Sequence, residues 1–302
     1  MAKTSVRSAQ ATSVRILRTR RFQDTFRHTL IFVVLTIMGI IMVMPFVWMI
    51  GLSFDLSAAV SIPFPPRLIP AKPTLISYSG AIEQMNLLRV YLNTILVIAG
   101  VLVVLLSAGL MAGYGLSKLR FKGHRIVLII LLSTLMLPLE VRILPLFMIF
   151  KTFHMIDTYW PFWLPAAGNA YLIFLMKQYM DSVPDSLREA GIIDGAGEWW
   201  VFLRIFVPLS GNVVVTVIIL QFRSTWDSLL WPLIVLSKPS LFTIQIMLDT
   251  LKSQFASMSP STQPYPSMTM AGNVLSILPV LVIFLLLQRY IVQSVAMSGL
   301  KQ

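Results

Sequence analysis

The sequence of 302 residues has no cysteine and carries charge on only 12% of its residues. The absence of Cys excludes a disulfide framework and any thiolate metal site. A soluble globular chain has about 25% charged residues, whereas 57% of this chain is hydrophobic. The composition therefore predicts a membrane protein with little room for a separate soluble domain.

Catalytic and metal-binding patterns are also missing from the sequence. The three histidines, His28, His124 and His154, are far apart and lack metal-ligand spacing. No Ser, His and Asp set forms a catalytic constellation, and no G-x-x-x-x-G-K-[ST] loop could hold the phosphates of ATP. We therefore expect no catalysis, no metal and no cofactor in this chain. A polytopic membrane enzyme, the alternative class, would need a polar catalytic cluster at one depth.

Long uncharged apolar runs dominate what is present. About 20 helical residues cross a hydrocarbon core of roughly 30 Å. Backbone groups in lipid must be satisfied within each segment, and nothing here alternates like a barrel strand, so we expect an all-α polytopic fold. Six runs qualify as transmembrane helices: Thr29 to Leu52, Val90 to Leu116, Ile126 to Leu144, Thr158 to Met176, Pro208 to Leu236 and Met270 to Gln288.

The net charge is +12, and the distribution of the basic residues among the loops predicts the orientation of these spans. Lys and Arg collect before the first span and between the second and third spans, which the positive-inside rule places in the cytoplasm. Because the charge lies in short loops, it does not indicate a nucleic-acid partner. Six spans then put both termini in the cytoplasm: a basic segment 1–28, a transmembrane domain 29–292 and a tail 293–302. The outer loops that begin near Phe54 and Ser253 are rich in proline, and we expect them to be irregular.

One stretch, residues 180–207, differs from the apolar runs around it because it is rich in charge, Gly and turn residues. We expect a helix over 184–193, a turn at Asp194 and Gly195 with positive φ at the glycine, and a second amphipathic segment over 198–207. Spacing alone leaves two interpretations open. The stretch either anchors at lipid headgroups through its Trp residues, or it docks a partner protein that its small residues allow to approach closely.

A family resemblance separates these two interpretations. Residues 188–212 read REAGIIDGAGEWWVFLRIFVPLSGN, which resembles the EAA motif of binding-protein-dependent ABC importer permeases. The segments HMIDTYWPFWLP, STWDSLLWPLIVL and QRYIVQSVAMSGL are similar to the maltose-type, carbohydrate-uptake branch of that family. The likeness extends over most of the chain. It departs from the pattern at Gly191, where a second Ala is usual, and at Asp227 and Ser228, where an Asn-acid pair is frequent.

The resemblance implies that residues 180–207, here called the EAA segment, form a cytoplasmic coupling helix between spans four and five. It assigns the contact with an ATPase subunit to one short run of residues: Glu189, Ala190, Gly191, Asp194, Gly195 and Ala196. It further implies a second homologous permease, two copies of the ATPase, an extracytoplasmic solute-binding protein and a multi-pass location in the lipid bilayer of the bacterial inner membrane. ATP and Mg would be bound by the partner ATPase, and the cargo would be a sugar or oligosaccharide.

Charged residues near the fifth span form one candidate substrate path. Arg223 lies about 15 residues, roughly 22 Å, beyond Pro208, at a depth where charge is rare. Asp227 follows one helical turn later on the same face, with Trp226 beside it. Either Arg223 and Asp227 form an internal ion pair, or they line the route of the solute.

A second candidate lies at the outer end of the third span. Glu140 and Arg142 stand between Pro138 and Pro145, which predicts a broken helix. This is either a solvated helix end or part of a transport cavity. The motif LPLEVRILP resembles a segment of glycerol-phosphate permeases. An anionic cargo that binds Arg142 and Arg223 is therefore an alternative to a neutral sugar: a uronate oligosaccharide or a glycerol phosphodiester.

Overall fold

The computed structural model describes residues 2–59, 63, 65, 67–119, 121–257 and 266–299. All regular elements in this part of the chain are helices, apart from an isolated bridge between Asp55 and Pro73. The all-α prediction is therefore confirmed for the described residues. In chain order the α-helices are α1 (Ala2–Ser53), α2 (Ile76–Met85), α3 (Leu87–Tyr114), α4 (His124–Ser133), α5 (Leu139–Thr152), α6 (Trp160–Ala166), α7 (Ala170–Ser182), α8 (Ser186–Ile193), α9 (Glu198–Val201), α10 (Val207–Leu209), α11 (Gly211–Trp226), α12 (Leu230–Val235), α13 (Ile244–Ser257) and α14 (Pro266–Gly299).

Three of these helices are long and apolar enough to cross a membrane without a break. Their candidate spans are Arg27–Ser53 in α1, Leu87–Leu119 in α3 with the π-helical turn that follows it, and Pro266–Leu286 in α14. α1 continues through residue 28 as one helix, so the backbone has no boundary between the basic segment and the first span.

Two further spans are bent rather than straight. α4, with a 3₁₀ turn at Thr134–Met136, meets α5 at 106°, and the segment Glu198–Leu209 meets α11 at 69°. The first bend follows from Pro138, because the residue before a proline avoids the α region, and Leu137 is indeed extended at φ −91° and ψ 112°. Counting each bent pair as one span gives up to five in the described chain, so the predicted six stays a prediction.

The fourth and fifth predicted spans are interrupted as well, which corrects their interpretation as continuous helices. α6 and α7 are separated at Gly168 and Asn169, where the Asn169 side chain accepts a hydrogen bond from the amide of Leu172 at 3.2 Å and starts a new helix. α11 ends at Trp226 and α12 begins at Leu230. Pro232 explains this second break, since its ring would clash with the carbonyl four residues earlier in a continuous helix.

The end of the bundle opposite the EAA segment is more ordered than predicted. α2 and α13 are amphipathic helices there, and α13 extends over Ser253–Ser257, where an irregular loop was expected. The prediction failed because Pro residues further along dominated the composition of this stretch. Residues 258–265 of the same predicted loop lie outside the described residues.

Asp55 organises the proline-rich loop after α1. Its carboxylate is 1% exposed and accepts hydrogen bonds from the amide and hydroxyl of Ser57 at 2.9 and 2.7 Å, and from the amides of Ala71 and Lys72 at 3.1 and 3.3 Å. Burial raises the pKa of Asp55, but these hydrogen bonds outweigh it and leave the pKa below its ordinary value. One carboxylate thus holds two distant loop segments together.

The core is built around α3, which packs against α6, α7, α11 and α13. At its lower end, Leu105 and Tyr114 join Met176 of α7 and Phe206 in one buried cluster. A Cβ at Gly113 would come within 2.9 Å of the Cβ of Met176. Gly113 is therefore a helix contact, because only glycine lets α3 and α7 approach this closely.

Candidate functional site

The EAA segment folds into two helical parts joined by a tight turn. α8 ends before Asp194, and Gly195 adopts φ 84°, a left-handed conformation that glycine takes without strain. The amide of Ala196 donates to the carbonyl of Gly191 at 3.0 Å and closes the turn. The backbone agrees with the sequence prediction of a helix, a turn with positive φ and a second helical part.

One face of α8 is exposed. Glu189, Ala190 and Asp194 are exposed, and Ile193 at the tip is 83% exposed. Large apolar side chains next to carboxylates at a protruding turn are typical of a contact surface. This exposed face contains most of the residues that the motif assigns to the ATPase contact, whereas Gly191 is buried.

Gly191 is the point at which α8 packs on the second part of the EAA segment. A Cβ at this position would lie 2.9 Å from Cγ2 of Val201 and 3.4 Å from Cδ1 of Ile205. Val201 is fully buried and has little freedom to move. The departure from the usual Ala therefore has a local cause, since Val201 occupies the space that a methyl group would need.

An ion pair joins the two parts of the EAA segment and attaches them to α3. The guanidinium of Arg188 donates to both carboxylate oxygens of Glu198, with Nε 3.2 Å from Oε2, and the hydroxyl of Tyr114 donates to the same Oε2 at 2.7 Å. The hydrogen bond to Glu198 raises the pKa of Arg188. The turn is thereby fixed relative to the base of α3.

A second attachment comes from Lys118, in the π-helical turn Gly115–Leu119. Its side chain is 2% exposed, and its ammonium donates to the carbonyl of Val183 and to Oδ1 of Asp185, both at 2.6 Å. The ammonium also lies 5.6 Å from the centre of the Phe206 ring. Lys118, in the turn after α3, therefore holds the start of the EAA segment, and Tyr114, at the end of α3, holds its second helical part.

A polar cavity of about 330 Å³ lies where three interrupted helices meet. It is lined at the breaks between α4 and α5, between α6 and α7, and between α11 and α12. Thr94 and Val101 of α3 also line it, about 10 and 21 Å along the helix from Leu87, so the cavity lies within the depth of the bundle. Its polar lining residues are Thr94, Thr134, Arg142, Asn169, Gln221, Ser224, Thr225, Ser228 and Thr243.

The candidate path residues fall into three places. Arg142 lines the cavity, while Glu140 is exposed and does not line it. Arg223 and Asp227 are close, with Nε 3.6 Å from Oδ2, and their side chains are 79% and 58% exposed outside the cavity. Trp226 lies elsewhere than expected: it is 1% exposed and donates to the carbonyl of Ser276 in α14 at 3.2 Å. Its ring is buried in the bundle and packs α11 against α14.

Comparison with known proteins identifies the class of molecule. The family described as binding-protein-dependent transport system inner membrane component matches residues 105–297. The chain belongs to this family. It is 38% identical over 191 residues to the arabinooligosaccharides transport system permease protein AraQ of Bacillus subtilis (strain 168), covering 63% of this chain and 66% of that one. It is 29% identical over 279 residues to the lactose transport system permease protein LacG of Rhizobium radiobacter, covering 91% and 96%.

A solved structure has the same fold. The crystal structure of a bacterial ABC transporter involved in the import of the acidic polysaccharide alginate contains a chain that matches with a TM-score of 0.78 and 24% identity, covering 89% of this chain and 97% of that one. The chain is thus a permease subunit of an ABC importer and not an enzyme, since its relatives are named as transport permeases. Among the described residues, no group of three His, Asp or Glu residues could hold a metal ion.

Sequence reasoning missed the polar stripe that this permease places in the cavity. Ser224, Thr225 and Ser228 lie three, four and seven residues after Gln221, which is the spacing of one helix face. That periodicity was available in the sequence. Thr243 was not predictable in the same way, because it reaches the cavity from the distant start of α13.

Proposed function

We propose that this permease subunit translocates a sugar or oligosaccharide that an extracytoplasmic solute-binding protein delivers. The names of AraQ and LacG, which refer to arabinooligosaccharides and lactose, support a carbohydrate cargo. The free energy comes from ATP hydrolysis in a separate subunit, which binds ATP and Mg. The membership of residues 105–297 in the family of inner membrane components is the observation that carries this proposal.

The architecture that we propose has six spans in the bacterial inner membrane with both termini in the cytoplasm. Each interrupted pair, α4 with α5, α6 with α7, and α11 with α12, counts as one span beside α1, α3 and α14. The transmembrane domain is 29–292, flanked by the basic segment 1–28 and the tail 293–302. A second homologous permease and two copies of the ATPase complete the complex.

The EAA segment is the coupling helix in this proposal. Glu189, Asp194 and the Gly195 turn contact the ATPase, together with the neighbouring small residues Ala190, Gly191 and Ala196. ATP closes the ATPase dimer and moves the coupling helices. The cavity then changes from an inward-facing to an outward-facing state. Nucleotide and solute each shift this equilibrium because they bind the two states with different affinity. The attachments of Lys118 and Tyr114 support this transmission, because they make α8 move with α3.

The substrate path that we propose runs past the charged residues of the interrupted spans. Arg142 lines the cavity, Arg223 and Asp227 form an exposed pair at the end of α11, and Glu140 lies near the break before α5. Trp226 supports this route only by packing α11 against α14.

The coupling assignment is tested by ATPase activity stimulated by loaded binding protein in reconstituted vesicles. Glu189→Lys reverses the charge of the exposed face, and Gly195→Val introduces a β-branched residue at φ 84°. We expect both variants to lose stimulation and to weaken assembly with the ATPase. Gly195→Asn, which tolerates a left-handed conformation, and Glu83→Lys, an exposed site on α2, serve as controls. Unchanged stimulation and assembly in both variants would show that the docking assignment is wrong.

A further inference from the structure

The charged lining of the cavity at the three helix breaks is positive only, among the described residues. Arg142 is a cavity-lining residue, and no Asp or Glu is among the described residues that line the cavity. The acidic residues nearest in sequence, Glu140 and Asp227, lie outside it. A guanidinium stays charged and offers several donors in a planar fork that matches anionic oxygen groups. An anionic solute is therefore favoured here over a cationic one.

The cavity also contains a hydroxyl without a partner. Thr243 is 4% exposed and lines the cavity, and its side-chain oxygen has no hydrogen-bond partner in the described part of the chain. Buried polar groups are almost always hydrogen-bonded. The neighbouring Thr94 differs, because its hydroxyl donates to Val90 and accepts from the amide of Ile244 at 2.9 Å. Thr243 thus has an unused donor and acceptor in the wall of the cavity that Arg142 also lines.

We propose that this subunit itself binds the solute, and that its cavity takes an acidic sugar unit. The anionic oxygens of the solute accept hydrogen bonds from the guanidinium of Arg142, and its hydroxyls form hydrogen bonds with Thr243, Gln221 and Ser228. The inference rests on the proposed import of carbohydrate and adds the charge of the cargo and the subunit that contacts it. A volume of 330 Å³ is at the lower end of the range of about 300 to 1,000 Å³ for small-molecule sites, which fits a short part of an oligosaccharide.

Trp231 supplies an apolar wall for this unit. Its indole nitrogen donates to the carbonyl of Pro161 at 3.0 Å, which fixes the ring at the break between α11 and α12. Phe162 lines the cavity on the α6 side. Sites for small polar ligands combine such apolar walls with a few placed polar groups, and this cavity has both.

The absence of cysteine provides a direct test. Ser228→Cys places a single thiol of this chain in the cavity, and the rate of its reaction with N-ethylmaleimide is measured on the purified complex, both nucleotide-free and trapped with vanadate. The probes are a uronate trisaccharide, sn-glycerol 3-phosphate and the neutral maltotriose. We expect an acidic probe to slow labelling several-fold and maltotriose to have no effect. Ser237→Cys, which is exposed and outside the cavity, should label at one rate throughout.

Second changes in the Ser228→Cys background identify the groups involved. Arg142→Gln should abolish protection by the acidic probe, Arg142→Lys should retain part of it, and Thr243→Val should weaken it. The uronate and glycerol-phosphate arms distinguish a carboxylate from a phosphate as the anionic group.

Three outcomes contradict the inference: no protection by any probe in either state, equal protection by maltotriose, or protection that survives Arg142→Gln. A failure of the proposed function looks different. In that case neither an ATPase nor a solute-binding protein copurifies with the chain, and no loaded binding protein stimulates ATP hydrolysis, whatever the labelling rates are.

Discussion

Lys118, in the π-helical turn that follows α3, and Asp185, directly before α8, are 67 residues apart in the chain and form an ion pair of 2.6 Å. The lysine side chain is 2% exposed and the aspartate side chain 44%. Because the ammonium is buried, its partner matters more than that of a surface lysine. This pair attaches the start of the EAA segment to the turn that follows α3.

Asp185→Ala should destabilise the complex, because it leaves a buried ammonium with less compensation. Breaking a fully buried pair costs about 3–5 kcal/mol, but we expect about 1–3 kcal/mol here, since Asp185 is partly exposed and solvent screens it. The nearby Asp181 further reduces the loss. Thermal unfolding of the purified complex measures the effect, with Glu83→Ala on α2 as a control that should change nothing.

Lys118→Met combined with Asp185→Ala separates positioning from stability. The double variant removes the buried charge and fills its space with an apolar chain, so its stability should return close to that of the wild type. If the pair positions the EAA segment, ATPase stimulation by loaded binding protein should still be reduced. Full recovery of stimulation together with stability would reduce the pair to a purely structural contact.

Gly191→Ala should destabilise the permease even though alanine is the better helix former. The added methyl group would lie 2.9 Å from Val201, and overpacking of about 1–3 kcal/mol is offset by a helix-propensity gain of about 1 kcal/mol. We expect a net loss of about 1 kcal/mol and a coupling of similar size with Val201→Ala in a double-mutant cycle.

The matched control for this change is Gly197→Ala. Gly197 has a negative φ, and a Cβ there would meet nothing within 4 Å. Its substitution should be nearly neutral in the same unfolding measurement. Additive effects of Gly191→Ala and Val201→Ala would mean that the two residues do not compete for the same space.

Local chemistry explains which parts of this molecule were predictable. The turn at Gly195 followed from an Asp-Gly pair, and the broken third span followed from Pro138, because both act within a few residues. The pairs Lys118 with Asp185 and Arg188 with Glu198 were not predicted, although all four residues are visible in the sequence. The first pair depends on how the turn after α3 packs on the EAA segment, and the second depends on how the two parts of that segment pack on each other. No periodicity encodes either packing.

The same limit applies to the candidate substrate path. Arg142 was identified because a charge between two prolines is unusual in an apolar run. Trp226 was assigned to the path only because it adjoins Asp227 in sequence, and neighbours in a helix point about 100° apart. The cavity itself arises from three separate helix breaks, which a reading of one span at a time does not bring together.

Asp55 should hold the outer loop closed down to an unusually low pH. Because the pKa of this carboxyl is lowered in the folded state, its stabilising contribution is fully present above the ordinary value of 3.8 and is lost as the pH falls through the lower folded pKa. Pepsin cleavage of residues 67–74, followed from pH 5 downward, measures the opening. The wild-type loop should stay protected until below the ordinary Asp range, whereas Asp55→Asn should be cleaved throughout.

The rate of pepsin cleavage at a site elsewhere in the chain corrects for the pH dependence of the protease itself. As a second control, Glu83→Gln should be cleaved like the wild type. Equal cleavage of wild type and Asp55→Asn across the series would show that the four hydrogen bonds to Asp55 do not keep the loop closed.

Mutation of Arg223 and Asp227 tests whether the two residues form a structural ion pair or line the route of the solute. The pair is 3.6 Å apart with both side chains exposed, so each group gains little from the other. A guanidinium left in lipid costs at least about 2.5 kcal/mol at the membrane centre, and its compensation must come from water, solute or the second permease.

We therefore expect Arg223→Ala to fold and assemble but to transport poorly, and the added Asp227→Ala not to restore transport. The loss should be greater for an acidic cargo than for a neutral one. Uptake is normalised to assembled complex, and Glu83→Ala, which removes an exposed charge on α2, is the control. Recovery of transport in the Arg223 and Asp227 double variant would leave the pair as a structural contact and remove it from the solute route.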